Sequence, residues 1–160
     1  MTTKIHRFAA LSLGALLCLP LLAQAQLAER KTLTDEAVKN IMAAAEAEAR
    51  ANNWNVVIAL VDEGGHLLSL QRLNNTQSAS IDIAIGKART AAAFRRPSQA
   101  LEALIPNRPA FMSVSEEYVL MEGGVPVVVD GVTLGAVGVS GVQASQDAQI
   151  AAAGVAGLQP

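Results

Sequence analysis

The sequence predicts an α+β domain built around an antiparallel sheet. Two apolar hairpins, at 54–73 and 125–139, are the first reason: tight turns join antiparallel strands, whereas parallel strands need long crossovers. The second is the placement of helix-periodic segments before, between and after the hairpins, not in alternation with single strands. The third is the turn chemistry inside each hairpin, Gly64-Gly65 in one and Asp130-Gly131 in the other.

Each element has a local cause. Residues 26–31 form a short lead-in. Thr34 is a good helix N-cap, and Asp35 and Glu36 complement the positive end of the helix that follows. Val38, Ile41, Met42, Ala45 and Ala49 recur at helical spacing, and Asn52-Asn53 ends the run. "WNVVIALVD" (54–62) is rich in β-branched residues and reads as a buried strand, with "HLLSLQRL" (66–73) returning beside it. Asn74-Asn75-Thr76 breaks that strand. Ser78 or Ser80 then caps a helix over 80–94, with Ile81, Ala84, Ile85, Ala88, Ala91 and Ala92 on one stripe. Gly86 costs that helix about 1 kcal/mol relative to alanine, which implies a close approach by a partner backbone or a flat ligand. Pro97 introduces a short helix over 98–105, Pro106 and Pro109 frame a loop, and residues 111–114 read as a short strand. Val125–Val129 and Val132–Val139 flank the Asp130-Gly131 turn, and a last helix runs over 145–158 from Ser145.

The first 25 residues are expected not to belong to this domain. Lys4, His6 and Arg7 make a basic stub, residues 8–22 are apolar, and Ala23-Gln24-Ala25 has small residues at both cleavage-defining positions. That is the pattern of a secretory signal peptide, which places the mature protein in the periplasm or outside the cell. Leu17 is too bulky for Cys18 to read as a lipid-attachment site. Cleavage after Ala25 leaves 135 residues of the 160, one ordinary domain over 26–160. It removes two cations and no acid, so the formal charge moves from −2 to −4. A mildly acidic chain without a basic patch argues against nucleic acid as a partner. No apolar stretch after the leader is long enough for stable membrane insertion. The only cysteine leaves with the leader, which excludes thiolate chemistry and disulfides.

Nucleophile–base pairs, a phosphate loop and a multi-residue zinc site are all absent from the pattern. Gly135-Ala136-Val137-Gly138 resembles a dinucleotide turn only in spelling, since it lies within a strand. His66 is the one histidine beyond the leader. A single imidazole makes a poor zinc site but suffices as an axial ligand of haem iron, because the porphyrin supplies four nitrogens; the same residue also reads as a plain turn histidine. Lys87 and Arg89 project from the alanine-rich helix and suit carboxylates, including the propionates of a tetrapyrrole, or simply face solvent. Met121 is a second conceivable iron ligand or a core residue. Gly123 and Gly124 either make a tight turn or admit a ligand or neighbouring subunit.

The run "VVIALVDEGGHLLSLQRLNNTQSASIDIAIGKARTAAAFRRPS", followed by "EGGVPVVVDGVTLGAVGVSG" and "QDAQIAAAG", closely resembles the GlcG/HbpS-type family, whose domain also forms the C-terminal part of PduO-type corrinoid adenosyltransferases. The resemblance spans about 33–158. It implies a profilin-like fold with a five-stranded antiparallel sheet flanked by helices, assembly into homo-oligomers, and haem binding. It also implies that the iron ligand is either His66 or Thr90, the latter in "KART". Of the two we favour His66, with Lys87 and Arg89 neutralising the propionates and Gly123 and Gly124 admitting the porphyrin edge or a second subunit. The expected function is an exported haem-binding protein that scavenges, senses, stores or degrades haem. Two other classes fit less of the pattern. One is a small-molecule enzyme or accessory factor of organic-acid or diol metabolism using Asp62, Glu63, His66 and Arg89. The other is a ligand-free oligomeric interaction module. Export gives the first test: intact-mass analysis of protein expressed with its leader in a Gram-negative host should show a chain beginning at Gln26, and a chain retaining the leader contradicts the assignment.

Overall fold

Strand β1 (Val57–Asp62) lies inside the sheet and is fully buried except at its last residue. The computed structural model describes residues 28–158, so the expected leader lies outside the described residues. From Thr32 onward they form one unit. Helix α1 (Asp35–Ala51) precedes β1, and β2 (Leu67–Arg72) follows it. Then come α2 (Ser80–Phe94), the short α3 (Ser98–Glu102), a 3-10 turn (Pro109–Ser113), β3 (Gly124–Val129), β4 (Val132–Ser140) and α4 (Ala144–Ala156). The four strands run antiparallel in the order β2-β1-β4-β3. No helix among the described residues is long and apolar enough to cross a membrane.

The two faces of the sheet bury different side chains, and sequence alternation sets which. Val56, Ile58 and Leu60 pack with Val137 and Val139 against Ile41, Met42 and Ala45 of α1 and Ile150 and Ala151 of α4. The alternate residues Val57, Ala59 and Val61, with Ala136, meet Ala84, Ala88, Ala91 and Ala92 of α2. Small residues on both sides of this second interface let the helix lie close on the strands. A Cβ at Gly138 would stand 2.1 Å from the Ala84 carbonyl oxygen and 2.5 Å from the Ala88 nitrogen, so only glycine fits there. The alanine stripe of α2 is therefore core, not a surface for a ligand.

Several expected elements change in detail. The five-stranded sheet becomes four-stranded among the described residues, because residues 111–114 fall in the exposed 3-10 turn. Pro109 sits in its first turn with φ preset for helical geometry, and Ser113 Oγ donates to the Ala110 carbonyl at 2.7 Å. The expected helix over 98–105 stops at Glu102 and continues as turns toward Pro106. Neither Ser78 nor Ser80 caps α2; Ser80 is buried, its hydroxyl 3.3 Å from that of Ser140. Gln143, not Ser145, caps α4, and its backbone N–H donates to the Gln146 side chain at 3.2 Å. Thr34 caps α1 as expected, accepting from Ala37 N–H at 3.2 Å. Asp130 and Gly131 adopt φ of 51° and 77°, the left-handed pair that a two-residue hairpin needs. Pro126 is tolerated in β3 because that strand is an edge of the sheet.

One ion pair ties the layers together. Lys87, on α2, is 1% exposed, and its Nζ lies 2.8 Å from Asp147 Oδ2 in the first turn of α4 and 3.0 Å from the Val139 carbonyl oxygen. Asp147 Oδ1 also accepts from Val142 N–H at 3.3 Å. Burial pushes the Asp147 carboxyl above its ordinary value, and the hydrogen bond and charge of Lys87 offset only part of that push. Removing one partner of such a pair strands a buried charge, whereas removing both does not. Lys87→Met should therefore cost about 3–5 kcal/mol in urea unfolding, and Lys87→Met with Asp147→Leu should recover most of the loss. A single variant costing under about 1 kcal/mol would show that the layers are held by other contacts.

Candidate functional site

The site begins at the turn between β1 and β2. Asp62 Oδ1 accepts from Gly64 N–H at 2.8 Å and from His66 N–H at 2.9 Å, closing the turn through a side chain. Gly65 completes it at φ +82°. The His66 side chain is turned outward and is 82% exposed, with Nδ1 3.3 Å from Asp62 Oδ2. A Cβ at Gly64 would come within 2.9 Å of the imidazole, so the glycine gives the ring its place. Burial alone would raise the Asp62 carboxyl, but the two N–H groups and the imidazole outweigh it and hold the group below its ordinary value.

Helix α2 meets this turn through Arg89, whose Nε donates to the Gly65 carbonyl at 3.1 Å. Imidazole and guanidinium thereby line one small cleft of about 170 Å³, together with Glu117 and Tyr118. The Tyr118 ring packs edge-on against Phe94, with centroids 5.4 Å apart. A larger cleft of about 490 Å³ adjoins it, sharing Arg89 and Glu117 and walled by Ile83, Ile85, Gly86 and Val119. A third, of about 350 Å³, lies on the other side of the 116–119 segment and includes Met121, 48% exposed.

The structure brings His66 and Arg89 together and withdraws the other sequence candidates. Lys87 does not project from the surface, because its ammonium is enclosed by Asp147 and the Val139 carbonyl. Thr90 is fully buried, and its hydroxyl faces the Gly86 and Val119 carbonyl oxygens at 2.8 and 3.0 Å. Gly123 and Gly124 are buried inside the fold: a Cβ at Gly123 would lie 2.8 Å from Lys87 Nζ, and one at Gly124 2.2 Å from the Lys87 carbonyl oxygen. Both clear the path of the lysine and the backbone of α2 and do not face a ligand. Gly86 admits the close approach of another segment of this chain: a Cβ there would stand 2.4 Å from Val119 Cγ2, and Val119 N–H donates to the Gly86 carbonyl at 3.4 Å. Glu117 and Tyr118 were not among the candidates, because "SEEYVL" has no periodicity or motif to mark it.

Asp62 gives a test with a defined sign. A lowered folded-state value means its contribution is present above the unfolded carboxylate range and is lost as pH falls through the folded value. Asp62→Ala should cost about 1–2 kcal/mol in urea unfolding at neutral pH, and the gap to wild type should close below about pH 4. An equal gap at both pH values would show that the carboxylate does not hold the turn.

Comparison with known proteins gives one result throughout. The family described as "Haem degrading protein HbpS-like" matches residues 33–156. Protein GlcG of Escherichia coli K12 is 46% identical over 109 residues, 68% of this chain and 81% of GlcG. An uncharacterised 15.0 kDa protein of Citrobacter freundii is 36% identical over 75% of this chain and 87% of its own length. Among solved structures, a double mutant of Streptomyces reticuli HbpS superposes with a TM-score of 0.80 at 26% identity, covering 99% of this chain and 100% of that one. A PduOC:heme complex superposes with a TM-score of 0.75 at 25% identity, covering 79% and 95%. The chain therefore belongs to the GlcG/HbpS-type family.

Proposed function

We propose that this protein is an exported haem-binding protein, working in the periplasm or outside the cell as a homo-oligomer that scavenges, senses or stores haem. The observation that carries the reading is the exposed His66 imidazole, set beside Arg89 at the mouth of adjoining clefts. The heme complex of a structural neighbour and the description of the family support the choice of ligand.

The chemistry of the donor set fits haem better than a bare metal ion. Among the described residues no three His, Cys, Asp or Glu side chains gather to hold an ion, so iron would have to bring most of its own ligands. With Nδ1 turned to the Asp62 carboxylate, 3.3 Å away, His66 has its Nε2 left to serve as the iron ligand. Arg89 is the cation at the site, and it is the residue we assign to a propionate. Asp82, Glu116 and Glu117 share the larger cleft with Arg89 and repel carboxylates, which leaves Arg89 as the group to meet a propionate there. Ile83, Ile85 and Val119 offer an apolar wall to a macrocycle. When bound, haem would supply whatever redox chemistry takes place.

The organic-acid reading receives less support, because Asp62 is already engaged by two backbone N–H groups and is poorly placed to act as a free base. Titration of haem into the protein, followed by the Soret band, tests the proposal. His66→Ala should weaken binding about 100-fold and shift the band, and Arg89→Ala should weaken it about tenfold. Titration curves for His66→Ala that superimpose on wild type would overturn the ligation.

A further inference from the structure

The cleft of about 350 Å³ on the far side of the 116–119 segment shares Glu116, Tyr118 and Val119 with its neighbours but is lined by neither His66 nor Arg89. Its size is that of a small-molecule pocket. Phe111, Tyr118, Met112 and Met121 supply aromatic and thioether surface, with Ile105 and Leu120 beside them. The charged side chains on its wall are Glu102 and Glu116, both acidic, with no cation among the described lining residues. Glu102 is fixed in place, its Oε2 accepting from Glu122 N–H at 2.6 Å. Arg108 lies over the Phe111 ring, 5.2 Å from its centroid, but does not line the cleft.

The neighbouring clefts differ in one respect. Those beside His66 set Arg89 among carboxylates, whereas this one has carboxylates over an apolar floor and no cation in its lining. Aromatic faces and polarizable thioethers attract cations as well as flat apolar rings, and the carboxylates add to that preference while opposing any anion. We infer that this cleft is a second binding site, for a small flat aromatic cation, separate from the haem site.

Three fluorescent dyes of similar size separate the possibilities in haem-free protein: the cation aminoacridine, the neutral N-phenylnaphthylamine and the anion anilinonaphthalene sulfonate. The cation should bind about tenfold more tightly than the anion, with the neutral dye between them. Met121→Arg, at a half-exposed position that lines this cleft and neither of the others, should weaken the cation by about tenfold or more. Glu116→Lys, on an exposed residue, should remove the preference for cation over anion. His66→Ala should leave all three affinities unchanged. Tightest binding by the sulfonate, or unaltered cation binding in Met121→Arg, would overturn the inference. So would loss of dye binding in His66→Ala, which would place the dyes in the other cleft. A failure to bind haem leaves these outcomes untouched.

Discussion

The Lys87–Asp147 pair is the constraint on which most of the remaining geometry depends. Lys87 belongs to the helix on one face of the sheet, and Asp147 to the helix on the other. Their contact passes beside the start of β3, where Gly123 takes φ +125° and leaves the space that a side chain would fill. Gly124 then lets β3 run against the α2 backbone, and Ser98 Oγ holds that start by accepting from Gly124 N–H at 2.9 Å and donating to the Met121 carbonyl at 2.6 Å. Two glycines, a lysine, an aspartate and a serine therefore solve one packing problem. The buried charge has hydrogen-bonding partners on several sides, which is the condition under which an interior ion pair is tolerated.

Fixing α2 in this way also sets the surface of the candidate site. The helix spends its small residues on the sheet and presents Ile83, Ile85 and Arg89 on the side that the 116–119 segment partly covers. Arg89 reaches the Gly65 carbonyl, so the position of the β1–β2 turn is read by the helix. Within the turn, Asp62 organises the backbone and faces the imidazole through its other oxygen. The clefts are walled on one side by regular structure and on the other by an irregular segment. Loops carried on a rigid frame are common settings for binding sites.

Much of the frame was legible because burial and period agree. The β-branched run of β1, the Thr34 cap and the Asp130-Gly131 turn each have a local cause that the tertiary structure leaves intact. Of the candidate residues, His66 and Arg89 share one cleft, where turn chemistry and helix position bring the two side chains together. Lys87 misled because a lysine beside alanines reads as solvated, and nothing local reveals an aspartate 60 residues away. Gly123 and Gly124 misled for a related reason: adjacent glycines announce close approach but not what approaches. The 111–114 segment has strand-like composition, yet Pro109 opens a 3-10 turn there, through Ser113, instead of a strand. Glu117 and Tyr118 lie in a stretch whose conformation is set by α2 beneath it, through the Thr90 hydroxyl and the Phe94 ring, not by its own pattern.

The close interface between α2 and the sheet separates two kinds of freedom to vary. On the inner side, where a Cβ at Gly138 would stand 2.1 Å from the Ala84 carbonyl oxygen, almost no exchange is sterically admissible. On the outer side, away from Gly86 and Arg89, substitutions change chiefly what the helix offers to visitors. Descendants of this scaffold can accordingly diversify their guests while inheriting an unaltered chassis.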